Sequence, residues 1–189
     1  MPRPHSIMRT PMRAPRAPIL ALLLFALPLL SGTRSDPGLL IEVDLAHFSL
    51  AARDLSAGSA GPALRISVGS PAHPTPTGEF RPRRVVRNPG WMPGASARRL
   101  GARARRPSSD GPLGVGKIPL GSGAIQIHGG ADPLELGKPV SRGCVTLRDE
   151  SWLELVDWLR AQSALDPWRA SPHGDFVSSF RRPIRVVVR

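Results

Sequence analysis

The sequence predicts a mainly β domain with one or two short helices, on three observations. Short runs at residues 39–52, 64–68, 125–128, 176–180 and 184–188 alternate apolar and polar side chains, the period of a half-buried strand. Glycine and proline, 19 and 22 of 189 residues, recur too often for long helices to fit between them. Only one stretch, holding Trp152, Leu155, Val156 and Leu159, repeats apolar residues at helical spacing.

Taken in order, the chain opens on a predicted targeting segment. Arg3, Arg9, Arg13 and Arg16 precede a twelve-residue apolar core at 19–30 (ILALLLFALPLL), the layout of a secretory signal peptide and short for a membrane span. We therefore divide the chain into a signal peptide or N-terminal membrane anchor at 1–35 and one folded domain at 36–189, long enough to bury a single core. An exported protein is expected, in the periplasm or cell wall, with an inner-membrane anchor if the leader is retained.

Residues 39–52 (LLIEVDLAHFSLAA) read as a hairpin broken near Leu45 and Ala46, with His47 in its turn. Residues 54–62 are rich in Gly, Ser and Ala and read as a loop; 64–68 (LRISV) read as a strand closed by Gly69. Residues 71–80 (PAHPTPTGEF) form a proline-stiffened turn leading into another strand. Residues 96–110 (SARRLGARARRPSSD) carry the densest arginine cluster and are expected to be a mobile loop beside the site. Asp149 is suited to cap the N-terminus of the one clear helix, with Glu150 adding negative charge to its first turn. His173, between Pro172 and Gly174, reads as a loop residue.

The formal charge of +12 raises the question of nucleic acid. The absence of tyrosine and scarcity of other aromatics argue against base-stacking platforms, and an exported basic protein meets anionic wall polymers and lipid head groups instead. A single cysteine excludes an internal disulfide.

That cysteine, Cys144, lies in Ser141-Arg142-Gly143-Cys144-Val145-Thr146-Leu147, sixteen positions after His128. A thiol reacts as thiolate, and an imidazole is the usual base that makes one. His128 ends the predicted strand at 125–128, and Gly129-Gly130 would turn the backbone and leave room beside the ring. Gly143 would let a substrate carbonyl approach. From spacing alone, a buried structural cysteine beside a satisfied histidine remains an equal reading. Zinc is disfavoured because two further ligands at metal spacing are missing.

The segment resembles the signature of the YkuD-type L,D-transpeptidases, in which His-Gly is followed, after a spacer, by Ser-[His/Arg]-Gly-Cys. His128-Gly129 and Ser141-Arg142-Gly143-Cys144-Val145 meet it, while Thr146 stands where arginine is commonest. Further similarity lies in Thr75-Pro76-Thr77-Gly78-Glu79-Phe80 and Asn88-Pro89-Gly90-Trp91-Met92-Pro93. The resemblance implies a β-sandwich of mixed sheets. It implies that Cys144 is the nucleophile and His128 the general base and acid, with the Gly129 backbone orienting the ring. By the same resemblance the Gly143 N–H helps hold the oxyanion, while Ser141, Arg142, Thr146 and Arg148 would meet substrate. No cofactor or metal is implied. The substrate would be the peptidoglycan stem, cleaved between diaminopimelate and D-alanine. The acyl group would pass to an amine of a second stem, a D-amino acid or a lipoprotein lysine, or to water in a carboxypeptidase. No nucleic-acid partner is expected; a non-catalytic wall-binding protein is the remaining reading.

Overall fold

The computed structural model describes residues 38–121 and 125–189; the predicted leader at 1–35 lies outside the described residues. Strands run β1 (Leu39–Asp44), β2 (Ser49–Asp54), β3 (Ser59–Arg65), β4 (Val68–Gly69), β5 (Gly78–Phe80) and β6 (Arg84–Arg87). After helix α1 (Ala95–Arg99) come β7 (Gly116–Pro119), β8 (Gln126–His128), a 3-10 turn (Pro133–Glu135), β9 (Pro139–Ser141) and β10 (Val145–Thr146). Helix α2 (Asp149–Ala161) is followed by β11 (Arg169–Ala170), β12 (Phe176–Ser179) and β13 (Ile184–Val188).

These form two mixed sheets, in the orders β3-β2-β1-β13-β5 and β10-β8-β7-β6-β12-β11, with a small β4-β9 pair. Each large sheet has one parallel step, β1 with β13 and β10 with β8. The predicted hairpin is β1-β2, with His47 exposed in its turn. Alternation decides which side chains go inward: Leu39, Ile41 and Val43 of β1, Ile184, Val186 and Val188 of β13, and Val85, Ile118, Ile127 and Val145 of the second sheet are buried. Trp152, Leu155, Val156 and Leu159 of α2 join the same core as predicted. Full burial of each such side chain contributes about 2 kcal/mol.

Three expectations need correction. Residues 59–62 belong to edge strand β3, which pairs with β2 around a bulge between Ala51 and Arg53. An edge tolerates Pro62, and Gly61 is required because a Cβ there would stand 2.5 Å from the Trp158 ring of α2. The basic stretch at 96–110 is not without structure: it contains the end of α1, and Trp91 and Arg105 pair through their backbones. The cap of α2 is Arg148, with no side-chain cap bond, and Asp149 is engaged elsewhere.

The sheet and helix ends are tied by a buried ion pair. Arg182 grips Asp54 through two bonds of 2.7 and 3.0 Å and also donates to the Gln162 carbonyl at 3.0 Å. The guanidinium holds the Asp54 carboxyl well below the usual carboxylate range. Asp54→Ala removes two charge-assisted bonds but leaves Arg182 partly exposed and still donating to the Gln162 carbonyl and the Ser56 hydroxyl, so it should cost about 2 kcal/mol, read as a lowered denaturation midpoint. Because the folded state disfavours protonation, this contribution is complete above the ordinary carboxylate range and is lost as pH falls below it. Acid titration of stability should therefore be shallower in the variant.

Candidate active site

Strand β8 presents Ile127 to the core and Gln126 and His128 to the opposite face. On one side β10 runs parallel to it, pairing Val145 with Ile127 and Thr146 with His128, so that Cys144 comes one step before this pairing, beside Gln126. On the other side β7 runs antiparallel, and Lys117 lies directly across from His128. The period of two puts Lys117, Gln126, His128, Cys144 and Thr146 on one sheet face, and all five line a cavity of about 600 Å³. Trp91, Met92 and Ala97 wall it on the side of the basic loop, and Arg142 and Glu135 add charge at its edge. A larger cavity of about 790 Å³ lies elsewhere, among arginines 81, 83 and 181, and holds no nucleophile.

His128 is 7% exposed, and its Nδ1 lies 2.6 Å from the Gly129 carbonyl oxygen. A carbonyl only accepts, so this contact assigns the proton to Nδ1 and leaves Nε2 with a lone pair. Burial is the main cause that lowers the histidine's pKa to about 4, and the Lys117 charge adds to it. The ring is neutral at neutral pH.

Burial pushes the Cys144 thiol above its ordinary value, opposed by a backbone hydrogen bond at Gln126 and by the Lys117 charge. Burial in turn lowers the Lys117 ammonium. A neutral thiol and a neutral imidazole are thus the resting state.

The Gly129-Gly130 turn is held by a carboxylate. Asp149 Oδ1 accepts from the Val115 and Gly130 N–H groups, each at 2.9 Å. A Cβ on Gly129 would collide with that oxygen, and Gly130 has φ +78°. Gly129 is therefore needed to leave room for the Asp149 carboxylate. The cysteine loop is braced by Ser141, whose hydroxyl donates to the Cys144 carbonyl at 2.6 Å and accepts the Gly143 N–H at 3.2 Å. Gly143, at φ +101°, permits this turn.

Of the predicted site residues, His128, Cys144, Ser141, Arg142 and Thr146 share the cavity wall. Gly129 provides the carbonyl at His128, whereas the Gly143 N–H is directed at Ser141 Oγ. Arg148 is outside the wall, its Nε 3.1 Å from Glu150. The sequence reading missed Lys117 and the role of Asp149. One signal for Lys117 was present: it is one of only two lysines in an arginine-rich chain, and it precedes Ile118 in polar-apolar alternation. Among the described residues no group of three or more His, Cys, Asp or Glu could hold a metal ion.

The family model for YkuD, the L,D-transpeptidase catalytic domain, matches residues 39–183. No curated protein matches the chain. The catalytic domain of an L,D-transpeptidase from E. faecium is 18% identical, with TM-score 0.52, over 84% of this chain and 100% of that one. An L,D-transpeptidase from Mycobacterium tuberculosis H37Rv is 17% identical, with TM-score 0.51, over 81% of this chain and 58% of that one. At such identity the likeness is one of fold. The chain spans less than two thirds of the length of the mycobacterial L,D-transpeptidases that it matches.

Proposed function

Because this chain belongs to the YkuD family of L,D-transpeptidase catalytic domains, we propose that it transfers an acyl group from a peptidoglycan stem through a thioester on Cys144. The observation that supports this reading is the pairing of β10 with β8, which brings Cys144 and His128 to one cavity with the Nε2 lone pair as the available base. In the first half-reaction Nε2 takes the thiol proton as sulfur attacks the diaminopimelate carbonyl, and returns it to the departing amine of D-alanine. In the second, an acceptor amine attacks the thioester; its proton passes to Nε2 and then to the leaving sulfur. The acceptor is the amine of a second stem, a D-amino acid or a lipoprotein lysine. The Gly143 bond to Ser141 at 3.2 Å is long, and the N–H can be exchanged to a developing oxyanion. The predicted leader would place this chemistry outside the cytoplasm.

Incubation with a diaminopimelate-containing tetrapeptide, followed by mass spectrometry, tests the proposal. Cys144-dependent loss of D-alanine with a cross-linked dimer supports transpeptidation. Release of tripeptide alone supports the carboxypeptidase reading. Intact substrate with the native chain, or equal turnover by Cys144→Ala, overturns both.

Lys117 bears on the same step. Its positive charge favours the thiolate and disfavours the imidazolium. The two effects oppose each other when the proton passes from Cys144 to Nε2, so Lys117→Met should change kcat/KM by less than about tenfold. The sign of the accompanying shift is fixed: without the charge His128 binds its proton more readily, so the acid limb of the pH profile moves upward from about 4. An unmoved limb would remove Lys117 from the electrostatics of the pair.

A further inference from the structure

The arginine-rich arm that walls the cleft has a defined backbone form. Its neck is clasped by mutual backbone bonds, Trp91 N–H to the Arg105 carbonyl at 3.0 Å and Arg105 N–H to the Trp91 carbonyl at 2.8 Å. Inside the clasp, α1 turns its small residue, Ala97, inward to the cavity wall. The helix ends in a Schellman turn, with Gly101 at φ +83° donating to Arg98 and Ala102 donating to Ala97. This turn leaves Leu100 facing outward, 76% exposed, and Met92 at the neck is 74% exposed.

An exposed leucine alone means little. Here it sits among Arg98, Arg99, Arg103, Arg105 and Arg106, all exposed. Among the described residues no carboxylate pairs with any of them, which is equally true of arginines 65, 83, 84, 87, 142, 160 and 169; what sets the arm apart is that its arginines flank one exposed leucine. The Arg98 guanidinium donates to the Pro93 carbonyl. The nearest acid in sequence, Asp110, is engaged by the hydroxyl of Ser109. Guanidinium groups without carboxylate partners, set around a protruding apolar side chain, match a surface that offers anions and hydrocarbon together. A soluble polyanion would satisfy the arginines and leave Leu100 in water.

We propose that this arm docks on an anionic lipid bilayer, with Leu100 entering the head-group and acyl boundary and the arginines binding lipid phosphates. Since Met92 and Ala97 also line the cavity, docking would hold the mouth of the cleft at the membrane face. The proposal does not depend on the chemistry assigned to Cys144.

The full chain tests it, with a readout local to the arm because the apolar leader can bind lipid by itself. In a Cys144→Ala background, Leu100→Cys labelled with an environment-sensitive dye should give a blue shift and a several-fold emission increase on phosphatidylglycerol-containing vesicles. High salt, or Arg99→Glu with Arg103→Glu, should reverse both, and pure phosphatidylcholine vesicles should produce neither. A dye that stays in a water-like environment while the chain sediments with the anionic vesicles overturns the proposal. An arm that binds soluble polyphosphate but shows no vesicle-induced shift overturns it in favour of an anionic polymer.

Discussion

His128→Gln should lower kcat/KM for a tetrapeptide stem about a thousandfold, within the range that a positioned general base supplies. Burial holds the ring near a pKa of about 4 and holds the thiol above its ordinary value, so at neutral pH little thiolate forms without a base in place. The native profile should rise through about pH 4, as Nε2 loses its proton, and stay flat across neutrality. In the variant only spontaneously ionised thiol can react, so the rate should climb steadily with pH toward the cysteine's raised value. A variant that keeps a flat profile would show that His128 is not the base. Stability gives a second readout. The unfolded histidine takes a proton near its ordinary pKa of about 6.5, whereas the folded one resists until about 4. The native fold therefore loses stability as pH falls through that interval, by about 3 kcal/mol, and His128→Gln should not.

How much of this was legible depended on the length of each signal. Strands β1, β2 and β13 run five to six residues, and their alternation shows in the sequence as it does in the burial pattern. The α2 stripe was equally plain, since four apolar residues recurring over two turns mark out a single helix face. Strands such as β10 and β11, two residues each, are too short to show a period; pairing partners define them. Strand β3 was hidden because its glycine and proline answer to tertiary neighbours, Gly61 to the Trp158 ring, and not to local preference. At the site, Cys144 and His128 were legible as chemically scarce residue types in a recognisable order. Lys117 showed only as a scarce lysine in an alternating run, because its importance lies in the β7-β8 register that sets it opposite His128. Arg148, close to the cysteine in sequence, lies outside the cavity wall and pairs with Glu150.

Asp149 is the residue whose local signal misled most, and it carries the other large effect. A carboxylate in the first turn of a helix suggests a cap, yet its partners are Val115 and Gly130, 34 and 19 positions away in the chain. One oxygen gathers the end of the loop before β7 and the turn after β8, so it fixes the peptide whose carbonyl holds His128 Nδ1. Asp149→Ala removes two charge-assisted bonds, and should cost about 3 kcal/mol of stability. It should also lower kcat about a hundredfold, the size expected when a catalytic group shifts by about 1 Å. KM should change little, since the Asp149 carboxylate is not part of the cavity wall. Asp149→Asn separates positioning from charge: an amide oxygen can accept both N–H groups, so kcat should recover to within about tenfold of native. Because the Asp149 charge raises the His128 pKa, the acid limb of Asp149→Asn should move slightly downward. A purely structural residue would give the stability loss without the separation of kcat from KM or the moved limb. Native kcat in a folded Asp149→Ala chain would show that the Gly129 carbonyl stays in place without it.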